Sequence, residues 1–253
     1  LEGGARVEGG VLKLTNNVMP TLNPPNTNPR TPMYAIEKAG WVRTHFAPPQ
    51  QELHDWEVSF ELFVGGGTGG DGFSFTYGHM ANEALLDEYG GLTAYGVPEG
   101  TGFRGLMVSF VTASNYLRIE YHDESAAPAL GADVPRGAAL IGLWELHSDV
   151  LRTAAWTGIE IRYSAADGLS IAHDGWSGWG SNWENRENGG ATTAGIRLPG
   201  YAPQRGWQFG LGASSHRWSD YHWVDNLRIA STWLVDAPIV HPLALSQNGQ
   251  AFY

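Results

Sequence analysis

A chain of 253 residues can bury a large core and fits one large all-β domain. Its formal charge of −11 argues against nucleic acid, anionic lipid and polyanionic partners, and no apolar run approaches the roughly 20 residues a membrane helix needs. Thirty-four glycines, fourteen prolines and eleven tryptophans against only 16% charged residues point to many turns and a sheet-rich body, while the lack of cysteine excludes disulfides and thiol chemistry.

Residues 1–18 read as an opening strand pair, with the turn signal Glu8-Gly9-Gly10 followed by Val11, Leu12 and Leu14. Residues 19–32 are a loop, since Pro24, Pro25 and Pro29 cannot join a central strand. Residues 34–46, holding Trp41-Val42-Arg43, predict a strand that Pro48-Pro49 closes. Trp56, Val58, Phe60 and Leu62 alternate with Glu57, Ser59 and Glu61, the period of a half-buried strand.

Next comes Gly65-Gly66-Gly67-Thr68-Gly69-Gly70-Asp71-Gly72, leading into a second alternating run in which Phe73, Phe75 and Tyr77 point one way and Ser74 and Thr76 the other. So little side chain lets the backbone take unusual angles and a ligand approach the main chain. Asp71 is thereby displayed at the end of a sheet. Gly65, Gly67 and Gly70 fit a G-x-G-x-x-G phosphate cradle, but that motif requires a following helix, and here a strand follows.

Residues 80–89 suggest one short helix. Residues 106–111 and 116–121 predict strands around Asn115, and 126–136 a loop. Ile159, Ile161 and Tyr163, then Leu169 and Ile171, bracket a hairpin turn at Ala165-Ala166-Asp167-Gly168. The excursion from Trp176 to Gly190 carries Trp176, Trp179 and Trp183 among Gly, Asn and Ser. Exposed tryptophans favour a second recognition surface, self-association or contact with a neighbouring module, or folding back onto the domain. Trp207, Phe209 and Leu211 predict a further strand, and residues 223–229 the last, so the fold class is all-β, a two-sheet sandwich or jelly roll.

Several segments, in order, resemble L-type (legume-type) lectins and related concanavalin A-like jelly rolls. Gly70-Asp71-Gly72-Phe73-Ser74-Phe75 is similar to their Asp-Gly-hydrophobic signature, and Gly105-Leu106-Met107-Val108-Ser109-Phe110-Val111-Thr112 to their central strand. Gly158-Ile159-Glu160-Ile161-Arg162-Tyr163 with Asp167-Gly168-Leu169, Leu198-Pro199-Gly200-Tyr201-Ala202-Pro203, Phe209-Gly210-Leu211-Gly212-Ala213 and His222-Trp223-Val224-Asp225-Asn226-Leu227 resemble the bacterial and algal branch. The resemblance implies a two-sheet antiparallel jelly roll over residues 1–235. It also implies a carbohydrate or glycoprotein partner, held by loops at one end of the concave sheet, and an extracellular or cell-surface setting.

It further implies that Asp71, following a cis peptide, accepts hydrogen bonds from two sugar hydroxyls, as an ionised carboxylate does strongly. Gly72 accompanies it, Asn115 helps hold the sugar loop and a calcium ion, and the loop from Ser214 to Tyr221 sets specificity. In that loop Ser214, Ser215 and His216 are polar candidates, and Trp218 and Tyr221 can cover the apolar face of a sugar. The family carries metal-binding Glu and Asp where this chain has Ser109 and Val111. Calcium takes six to eight oxygens, several from carboxylates, so no cofactor is expected, calcium being the one candidate.

Plainer roles compete at each place: Asp71 as a turn residue capping its own loop, Asn115 as a turn asparagine, and the two aromatics as loop packing. His216 and His222 flank Asp220, but their spacing matches no common metal set. Asp55 and Glu57 are the best carboxylate pair for glycoside hydrolysis, yet the alternating acidic run of concanavalin A-like hydrolases is missing. Gly175-Trp176-Ser177-Gly178-Trp179 breaks the nucleophile-elbow pattern at its last place. No enzyme is expected.

Residues 236–253 read as a proline-punctuated linker and the opening of an Ig-like module, or as a tail or docking strand. The expectation is thus a sugar-binding module of a longer extracellular protein. The alternative is a structural module of a surface layer, filament or matrix that has lost sugar binding.

Overall fold

A computed structural model describes residues 2–3, 5–15, 38–44, 53, 55–70, 72–79, 104–112, 116–122, 138–145, 151–173, 184–185, 195–204, 206–215, 220–232, 239–242, 244–245 and 251–252. They form two antiparallel sheets. One, of eight strands, runs β1 (Glu2–Gly3), β4 (Lys38–Thr44), β13 (Gln208–Ser215), β6 (Gly72–His79), β7 (Arg104–Val111), β8 (Tyr116–His122), β9 (Ala138–Glu145) and β12 (Glu184–Asn185). The other, of seven, runs β11 (Gly168–His173), β10 (Trp156–Ser164), β5 (Asp55–Gly65), β14 (Tyr221–Thr232), β3 (Val11–Thr15) and β2 (Arg6–Glu8), with β15 (Ile239–Pro242) beside β14. β16 (Ala244–Leu245) and β17 (Ala251–Phe252) pair with each other. The expected all-β, concanavalin A-like jelly-roll sandwich is the architecture found.

The alternation in β5 decides which face is inside. Trp56, Val58, Phe60, Leu62 and Val64 are buried, while Glu57, Ser59, Glu61 and Phe63 are partly exposed. Their inward rings meet those of the eight-stranded sheet: Trp56 lies 5.5 Å from both Phe75 and Tyr77, and Phe60 lies 5.5 Å from Phe73. Aromatic pairs at this separation add about 0.5–1.5 kcal/mol each beyond their burial. The core is therefore an aromatic layer between β5 and β6.

β6 is buried on both faces. Opposite its aromatics, register aligns Ser74 with Ser109 and Arg118, and Thr76 with Met107 and Glu120, all of them buried. One face is apolar core and the other a buried polar layer.

In β14 the Asp225-Asn226 pair makes a bulge, the register with β5 shifting between Asp225 and Arg228. Asn226 holds a positive φ of 52°, a conformation asparagine tolerates better than most residues. Its amide donates to the Asp225 Oδ1 at 2.8 Å, and its Nδ2 donates to the Glu61 Oε2 at 2.6 Å.

β9 is not predicted from sequence. Its run Ala-Ala-Leu-Ile-Gly-Leu-Trp lacks alternation, and a short apolar run reads equally as buried strand or helix. The predicted helix at 80–89, and the Trp176–Gly190 excursion apart from Glu184–Asn185, lie outside the described residues. Residues 239–242, placed in a linker by their prolines, pair with β14 from Arg228 to Ser231. Among the described residues no helix is long and apolar enough to cross a membrane.

Candidate functional site

β13, β6 and β7 lie side by side, with Ser214 opposite Gly72 and Phe73 opposite Phe110. β6 begins at Gly72, β13 ends at Ser215 and β7 ends at Val111. The segments bearing Asp71, Asn115 and residues 216–219 therefore all join the sandwich at one end of three neighbouring strands. Tyr221 opens β14 opposite Gly65, at the same end of the partner sheet. Of the predicted site residues, Gly72, Tyr221 and the strand backbone of Ser214 and Ser215 are described. Asp71, Asn115, His216 and Trp218 lie outside the described residues.

The glycine after Asp71 is required by packing. A Cβ on Gly72 would fall 2.7 Å from the Phe110 carbonyl oxygen, so only glycine lets β6 approach β7 here. On the other side of Asp71, the Thr112 hydroxyl donates to the Gly70 carbonyl. Both flanks of Asp71 are thus fixed to the end of β7.

The start of the glycine turn is held from elsewhere. Ala154 donates its amide to the Val64 carbonyl at 2.9 Å. Gly66 has a φ of +78°, and a Cβ there would sit 2.9 Å from the Tyr221 ring. The Tyr221 ring packs on this turn and lies 4.6 Å from Trp223, leaving the tyrosine half-buried.

Gly67 is gripped by two side chains. Its amide donates to the Asp220 Oδ1 at 3.0 Å, and its carbonyl accepts from the Arg152 Nη2 at 3.1 Å. Arg152 also forks onto Asp220, from Nε to Oδ2 at 2.7 Å and from Nη2 to Oδ1 at 3.1 Å. Asp220 is fully buried, whereas the Arg152 side chain keeps 29% of its surface exposed. The Asp220 hydrogen bond pushes the Arg152 pKa up further, so the guanidinium stays charged.

Behind the pair sits a buried relay. The Thr15 hydroxyl donates its one hydrogen to the Asp220 carbonyl at 2.8 Å. Its oxygen must therefore accept from the His222 Nδ1, 2.8 Å away, and from the His222 amide at 3.1 Å. His222 is thus the neutral Nδ1–H tautomer, and its buried Nε2 has no partner among the described residues. Burial pushes its pKa down to about 4, with Asp220 opposing the shift and Arg152 adding to it.

Asp220 is thereby committed to Arg152 and Gly67, and His216 lies outside the described residues. Among the described residues no group of three His, Asp or Glu side chains gathers to hold an ion. The calcium implied by the resemblance finds a poor donor set on β7. Ser109 offers one buried hydroxyl and Val111 no oxygen, where a calcium site needs several carboxylates. Asp55, half of the best hydrolytic pair, accepts the Ala165 amide at 2.9 Å on the hairpin.

Arg152 and Thr15 are not marked by the sequence, and Thr112 appears in it only as the last residue of the segment similar to the central strand. Thr112 follows the predicted strand directly and carried a weak signal. Arg152 carried none, since nothing in its neighbourhood points to a partner 68 residues away.

No family model matches the sequence, and no curated protein matches it either. Solved structures do resemble it. The VIP36 exoplasmic/lumenal domain, bound to Ca2+ and Man3GlcNAc, superposes with a TM-score of 0.58 at 19% identity over 93% of this chain and 83% of that one. The metal-free Emp46p carbohydrate recognition domain gives 0.56 at 10% identity, over 90% and 85%. The Emp47p carbohydrate recognition domain gives 0.52 at 11%, over 90% and 86%. At these identities the likeness is one of fold, and it lends no support to the bacterial and algal branch.

Proposed function

We propose that this chain, which has the concanavalin A-like fold of L-type lectins, is a non-catalytic carbohydrate-binding module of an extracellular or cell-surface protein. Its ligand is a glycan, free or on a glycoprotein. Asp71 and Asn115 supply polar contacts, and the 214–221 loop, with Ser214, Ser215, His216, Trp218 and Tyr221, sets specificity. The reading is carried by one observation: β13, β6 and β7 deliver the three segments holding these residues to the same end of one sheet. It is supported by the fixing of both flanks of Asp71, through Gly72 on Phe110 and Thr112 on Gly70, because a pre-set acceptor loses little entropy on binding.

Sugar recognition needs no bond to break, and two of the described carboxylates are spent on structure. Asp220 is tied to Arg152 and Gly67, and Asp55 accepts from the hairpin. A carboxylate at position 71 can accept charge-assisted hydrogen bonds from adjacent hydroxyls, and Gly72 keeps side-chain bulk away from it.

A glycan array on the chain and on Asp71→Asn tests this. The expected outcome is binding to a restricted set of glycans that the variant loses, since the neutral amide replaces one acceptor with a donor. Silence across the array, or equal binding by the variant, overturns the reading and leaves a structural module.

A further inference from the structure

We infer that Arg152 and Asp220 form a clamp that positions the proposed sugar site, doing with an ion pair what a bound cation does for the family's loop, so that binding there is independent of divalent metal. The inference rests on the carbohydrate reading for its ligand but not for its geometry. The clamp joins two of the three segments that meet at the site. Asp220 ends the segment between β13 and β14, and Gly67 lies in the turn that leads to Asp71. One carboxylate receives the Arg152 fork and the Gly67 amide, and the same guanidinium holds the Gly67 carbonyl. Both backbone groups of Gly67 are therefore held by one bidentate pair, the strongest class of protein hydrogen bond.

Two further features point the same way. The turn is pinned along its length by protein groups: Ala154 on Val64, the pair on Gly67 and Thr112 on Gly70. On β7, where the family places two carboxylates, this chain has the hydroxyl of Ser109 and the methyls of Val111, both buried. A cation requires carboxylates in place of Ser109 and Val111; a clamp requires only what is present. Arg152 and Asp220 are accordingly positioning residues, touching the turn rather than the glycan.

The test has three arms on the full chain. In the first, CaCl2 alone is added in thermal melts against EDTA. A ligand of the native state must raise the melting temperature by mass action; no rise is expected, and a rise overturns metal independence. In the second, amide exchange at Gly67 is followed by NMR in Asp220→Asn and Arg152→Ala. Exchange at Gly67 is expected to accelerate at least about tenfold relative to the strand glycine Gly105, because a local opening has lost its restraint; unchanged protection overturns the clamp. In the third, glycans retained by the wild type and lost by Asp71→Asn are titrated. Arg152→Ala is expected to weaken them about tenfold or more, with Arg152→Lys intermediate because it keeps charge but not the fork. EDTA should change nothing. Binding abolished by EDTA, or equal in Arg152→Ala, overturns the inference. If the wild type binds no glycan, the carbohydrate reading falls, while the calcium and exchange arms still decide the clamp.

Discussion

The pairs Arg152–Asp220 and Arg118–Glu120 have the same chemistry and nearly the same closest distance, 2.7 Å. Their placement differs. Arg118 and Glu120 are two residues apart on β8 and so share a face of one strand. Arg152 and Asp220 are 68 residues apart and join two loops. The bond between Arg118 and Glu120 lies within one strand, whereas the bonds of the second pair fix a turn built of glycines. The two carboxyls also have different surroundings. Desolvation raises the Glu120 pKa, with Arg118 only partly opposing it, while Asp220 receives the arginine fork and a backbone amide at once. An ion pair's contribution therefore depends on what else it holds together.

The largest expected effect comes from breaking each pair on its arginine side. Arg152→Ala leaves a fully buried carboxylate with one amide donor, at a cost of about 3 kcal/mol or more. Arg118→Ala should cost less, because Glu120, already inclined to be neutral, can take up a proton. Urea denaturation of both variants at pH 7 checks the order. Equal costs, or a larger one for Arg118→Ala, would remove the distinction between the pairs.

How much of this was legible beforehand varies by element. The alternation in residues 56–62 gave β5 its period and its inward face, because a period of two survives without knowledge of any partner. Gly72 was legible as part of Asp-Gly, though its reason, the Phe110 carbonyl 2.7 Å from its missing Cβ, belongs to the neighbouring strand. β9 was not legible, since its apolar run Ala-Ala-Leu-Ile-Gly-Leu-Trp carries no period of two. Arg152 and Asp220 were not legible as a pair, because only the closure of the sandwich brings them together. The turn was visible in the glycines. What holds it was not.

The next largest effect comes from acid, through the histidine behind the first pair. His222 has its pKa lowered to about 4 in the folded chain, chiefly by burial, against 6.5 unfolded. The unfolded chain therefore binds the extra proton first. Stability is full above about pH 6.5 and falls as the pH drops toward 4, by about 3 kcal/mol in all. His222→Asn can retain a donor to Thr15 while removing this titration, and should abolish the fall of urea midpoints between pH 7 and 4. A loss on acidification that survives in the variant would place the acid sensitivity elsewhere and detach the relay from the clamp.

The smallest effect concerns the second pair, and it runs in the opposite direction. The Glu120 carboxyl is raised above its ordinary value by burial. Its contribution is thus fully present below the unfolded value, near 4.5, and is lost as the pH rises through the folded one. As the pH falls from the folded value of Glu120 toward 4.5 it gains while His222 loses, so the wild-type profile is a difference of two slopes and neither can be read from it alone. Glu120→Gln keeps an acceptor for Arg118 and removes the ionisation, and should change stability at pH 7 by no more than about 1 kcal/mol. Paired with His222→Asn, it resolves the profile: the glutamine variant should lose stability more steeply on acidification than the wild type. If it instead destabilises by as much as Arg152→Ala, then Glu120 is held as firmly as Asp220. The buried polar layer of the eight-stranded sheet would then be a second structural lock.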